Sequence, residues 1–218
     1  MFIKRLELLV SDLPAQRDYY SLVLELPTQL ESDSLSVQAG GTELVFLAAP
    51  SNWEGRYHFC FNIPENQFPP AKAWLSSRIP LLKDRDGRDE FESKTWNSSS
   101  LYFADSAGNI LEFIARHDLG NGAAGPFTSR QILQVSEIGL PSTDVISFAA
   151  ELCSRLGVEV YRQSADTTFT PIGDEEGLLI LAVEGRIWYP DTGVPARLLH
   201  TRVKVVVGGK EFDISRPD

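Results

Sequence analysis

One strand–helix–strand theme returns along this chain, and a theme that returns restricts the fold to assemblies of one small unit. Leu6-Glu7-Leu8-Leu9-Val10 reads as a strand, and Ser11-Asp12-Leu13-Pro14 turns into a helix through Arg17 to Val23. Pro14 suits the first helical turn because its φ is already fixed, and Asp12 or Ser11 can accept from the free N–H groups there. The same order follows at His58 to Ile63, then Pro64-Glu65-Asn66 and a helix carrying Ala71, Trp74 and Leu75. It follows again at Ser136 to Leu140, with a helix from about Val145 to Leu156 that Gly157 stops. Short strands come after each helix: near 28–31, 35–39 and 43–48, then 94–96, 100–103 and 109–115, then 159–162, 168–172 and 178–183. The unit is βαβββ, three times over. A fourth begins at Leu199-His200-Thr201 and is cut short in a Gly208-Gly209 hairpin. The expected class is α+β, built from repeated βαβββ units with flanking helices and a truncated last unit.

Between His117 and Arg130 lies Gly120-Asn121-Gly122-Ala123-Ala124-Gly125-Pro126, whose small residues and proline read as a linker. The expected organisation is therefore two complete units over 1–116, a linker over 117–130, and one complete plus one truncated unit over 131–218. A formal net charge of −10 argues against nucleic acid or an anionic membrane surface as partner. No apolar run approaches the roughly 18–20 residues that a bilayer span requires. The first residues carry only a short apolar stretch interrupted by Glu7, with no small-residue cleavage site. Cys60 and Cys153 match no metal or redox spacing, so reduced thiols in a cytoplasmic protein are the expectation. A phosphate-binding glycine loop, a Gly-x-Ser-x-Gly elbow and a His-Glu-x-x-His helix are all missing from the sequence, which removes support for phosphoryl transfer, serine hydrolysis and zinc proteolysis.

Chemistry gathers on two strands. Side chains alternate faces along a strand, so Phe59, Phe61 and Ile63 share one face and His58, Cys60 and Asn62 the other. Some fifty residues on, Leu111 and Phe113 share a face and Glu112 points the opposite way. An imidazole and a carboxylate thus sit on the non-core faces of two strands that could be neighbours.

These segments resemble the vicinal oxygen chelate superfamily of glyoxalases, bleomycin-resistance proteins and extradiol dioxygenases. The resemblance is carried by Val10-Ser11-Asp12-Leu13 leading into Tyr19-Tyr20, by Tyr57 to Ile63, and by Phe103-Ala104-Asp105 with Gly108-Asn109 to Glu112. It implies that two units pair edge to edge and curl their mixed sheets into a cup for a divalent metal and a small ligand. Ligands in that family come from the first strand of each unit and the last strand of one or both. His58 and Glu112 keep two such places. Unit one has Arg5 and Val45 at the corresponding places, with Glu7 two residues along the same face as a substitute ligand. Unit three has Glu137 at the histidine place and Leu181 at the glutamate place, and His200 opens the fourth unit.

The resemblance therefore implies a cup over the first two units, with metal at His58, Glu112 and Glu7 and with Arg5, Cys60, Asn62 and Trp96 against a small oxygen-bearing molecule. A metal there would act as a Lewis acid for a lyase, isomerase or oxygenase reaction; Glu112 could otherwise act as the base. In the alternative, Arg5 pairs with Glu112 and plugs the metal position, leaving a metal-free, small-molecule-sequestering protein of the bleomycin-resistance type. The missing strands of unit four leave an open edge near Val203–Val207 that a second copy could cover as a homodimer.

Overall fold

The computed structural model describes residues 1–216. Unit one runs from strand β1 (Phe2–Val10) into helix α1 (Leu13–Asp18), where Asp12 accepts from the Ala15 N–H at 2.9 Å. A π-helical turn at Tyr19–Val23 leads on to β2 (Thr28–Leu30), β3 (Ser34–Ala39) and β4 (Thr42–Ala48). Unit two comprises β5 (His58–Ile63), α2 (Phe68–Ser76), β6 (Phe91–Ser93), β7 (Ser98–Ala104) and β8 (Ile110–Arg116). Unit three has β9 (Gln134–Ser142), α3 (Val145–Leu156), β10 (Phe169–Asp174) and β11 (Gly177–Val183). Of unit four only the hairpin of β12 (Thr201–Val207) and β13 (Lys210–Arg216) lies in the described residues. The class is α+β, as the repeat implies.

The pairing of units corrects the expected cup. One sheet has the order β13-β12-β1-β4-β3-β2 and the other β10-β11-β9-β5-β8-β7-β6. Unit one joins the truncated unit four through antiparallel β1–β12, and unit two joins unit three through antiparallel β5–β9. Each sheet therefore draws strands from both sides of residues 117–130. The choice of partner unit is a matter of which strand edges meet in the finished sheets, which no single strand specifies. This pairing places the first strand of every unit inside a sheet and leaves β13, β2, β10 and β6 as edges. The strand near Val203–Val207 is likewise interior, with β13 hydrogen-bonded outside it.

The segment read as a linker is tied down. Asn121 accepts from the Glu65 N–H at 2.9 Å, and the Ala123 carbonyl accepts from the Asn66 and Gln67 side chains, each at 3.1 Å. Two short strands also move. The one expected at 94–96 is β6 at Phe91–Ser93, which leaves Trp96 in the turn before β7. The one expected at 159–162 is a 3-10 turn joined to the sheet by the single bridge Val160–Ile172.

Alternation builds one apolar core from both sheets: Leu6 and Leu8, Phe59 and Phe61, Leu111 and Phe113, Ile138 and Leu140 are fully buried in it. Strand β9 keeps this pattern only by breaking register. Cys60 lies opposite Glu137 but Phe61 lies opposite Val135, so Ser136 is an extra residue. Such a bulge shifts the alternation by one. Val135 and Ile138 both enter the core as a result, and Glu137 turns to the opposite, concave face. None of the described helices is long and apolar enough to cross a membrane.

Candidate metal and ligand site

The concave face of the seven-stranded sheet collects His58 from β5, Glu112 from β8 and Glu137 from β9. One donor atom from each of the three lies within 4.8 Å of the others, and all three side chains are buried. Register explains the grouping: Cys60 pairs with Glu112 on one side and with Glu137 on the other, so the two carboxylates flank β5. His58 stands two residues along on the same face. Its Nδ1 lies 3.1 Å from the Ile110 carbonyl, which assigns the proton to Nδ1 and leaves the Nε2 lone pair free. Nε2 is 3.8 Å from Glu112 Oε2, too far for a direct hydrogen bond.

Burial and charge set the protonation of this group. Burial lowers His58 to about 4, with the Arg186 charge pushing the same way and the Ile110 carbonyl opposing, so the imidazole is neutral. Burial raises Glu112 to about 8, the Glu137 charge adds to the rise, and the Ser100 and Tyr102 hydroxyls oppose it. Glu137 is also pushed up by burial but is ion-paired with Arg116, which favours its charged form. Of the two carboxyls, Glu112 therefore carries the proton. Arg116 is fully buried, donates through Nε to Asn62 Oδ1 at 3.2 Å, and stacks 5.4 Å from the Trp96 ring.

The residues singled out from sequence are only partly brought together. His58, Glu112 and Trp96 line one cavity of about 270 Å³, and Glu137 joins them. Cys60 lies on the same face but is fully buried in the floor, where burial raises its thiol and leaves it inert. Asn62 is also buried, committed to Arg116 and to the Glu175 carbonyl at 3.0 Å. Arg5 and Glu7 belong to the other sheet. Arg5 pairs with Glu43 and lies 3.5 Å from Glu7; Glu7 lies 3.7 Å from His200 and 3.5 Å from Arg202. The expected Arg5–Glu112 plug is absent from the described residues, and Glu7 is outside the His58 group, because unit one faces unit four and not unit two. The fourth place of the cup falls to Ile180 and not Leu181, since Ile180 pairs with Gly139 and lines the cavity while Leu181 enters the core.

The residues that close the cup carry no sequence signal that places them there. The strap between β11 and β12 lays Trp188 against His58, with ring centroids 5.0 Å apart. Gly139 makes room: a Cβ there would stand 2.6 Å from the Trp188 ring and 3.3 Å from the His58 carbonyl. Gly139→Ala is accordingly expected to displace Trp188 and cost about 1–3 kcal/mol. Urea unfolding together with a red shift of the tryptophan emission checks this; an unchanged emission maximum would count against it. Phe91, Phe169 and Tyr189 complete the apolar walls. Arg116 was legible as a face-sharing partner of Glu112 and Ile114 by alternation, whereas the strap carries no periodic signal.

The fold is shared with solved structures. A Bacillus subtilis protein classed provisionally as a dioxygenase superposes with a TM-score of 0.61 and 19% identity, over 84% of this chain and 63% of its own. Maize glyoxalase I superposes with a TM-score of 0.54 and 14% identity, over 84% of this chain and 66% of its own. This is the vicinal oxygen chelate fold. The chain spans under two thirds of the length of either neighbour. No family model and no curated protein matches it. Within the vicinal oxygen chelate fold, the His58 group sits where a strand of unit two meets a strand of unit three.

Proposed function

We propose that the cup of units two and three holds a divalent metal at His58, Glu112 and Glu137 and presents a small oxygen-bearing molecule to it. The observation that carries this reading is the convergence of three buried donor atoms within 4.8 Å, one imidazole nitrogen and two carboxyl oxygens, at the floor of one cavity. One imidazole and two carboxylates suit a borderline or hard divalent ion, and three protein ligands with an apolar fourth place leave a position open for ligand. Such an ion, when bound, supplies Lewis acidity toward an oxygen of the ligand. The chain supplies the rest. Ile110 fixes the His58 tautomer so that Nε2 faces the group. Arg116 and Asn62 hold Glu137 in place from beneath. Without an ion, burial keeps a proton on the Glu112 carboxyl at neutral pH, and that proton would leave when the carboxylate binds a metal. Trp96, Tyr102 and Trp188 keep bulk water from the floor. The reaction class is a lyase, isomerase or oxygenase conversion of that ligand.

One observation favours a second reading. Glu137 already has a guanidinium counterion in Arg116, so a metal-free, ligand-sequestering protein is served by the same cup. Elemental analysis of protein purified without tag or chelator separates the two. About one equivalent of a transition metal is expected, and it is expected to be lost in Glu137→Ala. Metal-free native protein that stays metal-free after excess metal is added supports the second reading instead.

A further inference from the structure

The strap over the cup carries a cation that makes no ion pair among the described residues. Arg186 lines the cavity half-buried, and among the described residues its guanidinium makes no ion pair and no hydrogen bond. Its Cζ stands 4.7 Å over the Phe169 ring. The backbone is fixed, because the Arg186 N–H donates to the Val183 carbonyl at 3.1 Å and the Arg186 carbonyl accepts from Ala196 at 2.7 Å. The guanidinium is thus presented to the cavity by a pinned hairpin. Asp166 acts on it through space without bonding it, and Glu137 is committed to Arg116. Trp188, on the same strap, has a buried indole N–H with no acceptor in the protein. Unsatisfied donors beside a cavity call for acceptors on the ligand.

We propose that the cup selects small ligands with a flat apolar or aromatic body and a single carboxylate, and that Arg186 makes the carboxylate contact. The rings of Phe91, Trp96 and Phe169 supply the flat walls. A volume of about 270 Å³ keeps the ligand small. One unpaired guanidinium matches one negative charge, so a carboxylate is preferred over a phosphate dianion. Arg186 is a specificity residue here. The proposal rests on the cup as a ligand site, and its test is run on metal-free protein so that it can stand or fall apart from the metal.

Chelator-treated and metal-loaded full-length protein would be titrated with benzoate, phenylacetate, 3-phenylpropanoate and their amides, reading tryptophan fluorescence. At least one acid is expected to bind about 10- to 100-fold more tightly than its amide, with and without metal. Arg186→Gln is expected to level acid and amide, and Arg186→Lys to keep part of the preference. The proposal is overturned if none of the acids outbinds its amide, or if the preference survives Arg186→Gln. A preference seen only in metal-loaded protein overturns it too, since the metal would then hold the carboxylate. An acid preference through Arg186 in a protein that takes up no metal would instead sink the metal reading and leave this one standing.

Discussion

Arg116→Met is expected to lower the unfolding free energy by about 3–5 kcal/mol, the usual cost of removing one partner from a buried ion pair. Arg116 is fully buried and Glu137 nearly so, and the guanidinium also bonds Asn62. Deleting it leaves Glu137 and Glu112 as two buried carboxyls with no cation between them. The chain then has to protonate both, or let water into the floor of the cup. A second substitution tests the cause: Arg116→Met combined with Glu137→Gln removes the stranded charge, and the double variant is expected to be more stable than the single one. Urea unfolding of the three proteins measures this. A loss below about 1 kcal/mol in Arg116→Met would show that the pair is not the anchor of Glu137.

Metal-free protein should lose stability as pH rises from 6.5 to 8, by about 1.5–2 kcal/mol. Glu112 is raised to about 8 in the fold from an ordinary value of 4.5. Between those values the folded state holds a proton that the unfolded chain releases, so the stabilisation present at low pH is lost on the way up. Glu137, pushed up by burial against Arg116, adds in the same direction. His58 works oppositely. Its drop from 6.5 to about 4 makes the unfolded chain bind the extra proton, so its stabilisation is lost as pH falls through that window. The two slopes oppose each other between 4.5 and 6.5, and only the carboxyl slope remains above 6.5. Glu112→Gln is expected to flatten the decline. Saturating metal is expected to reverse it, because the ion binds the deprotonated carboxyl. Thermal unfolding across pH with chelator present decides the matter; an undiminished decline in Glu112→Gln would contradict the assignment.

The repeat and the face that each side chain takes were legible because period-two alternation is a local property. Leu6-Glu7-Leu8, Phe59-Cys60-Phe61 and Leu111-Glu112-Phe113 all bury the side that their pattern predicts. His58 and Glu112 were readable as a pair because both lie within one unit and their strands are parallel neighbours. The partner unit was not readable. Whether unit two pairs with unit one or unit three depends on which strand edges meet in the finished sheet, and no local propensity records that. Glu7 as a substitute ligand and, in the alternative, Arg5 as a plug both presuppose that unit one faces unit two, whereas it pairs with unit four. Glu137 was readable as the residue at the histidine place of unit three, opposite Ile138 and Leu140 by alternation; that it faces Glu112 across β5 was not, because this depends on the β5–β9 pairing. Trp188 and Arg186 lie on an irregular strap, where position comes from hydrogen bonds to Val183, Val194 and Ala196 and not from any period.

The most direct measurement is a Co²⁺ titration of chelator-treated protein followed by visible absorption, run on the native chain and on His58→Ala, Glu112→Ala, Glu137→Ala and Glu7→Ala. A band saturating near one equivalent is expected in the native protein and in Glu7→Ala, and its loss is expected in the other three. A band that persists in Glu137→Ala and vanishes in Glu7→Ala, or no band in the native protein, would contradict a metal site shared by units two and three.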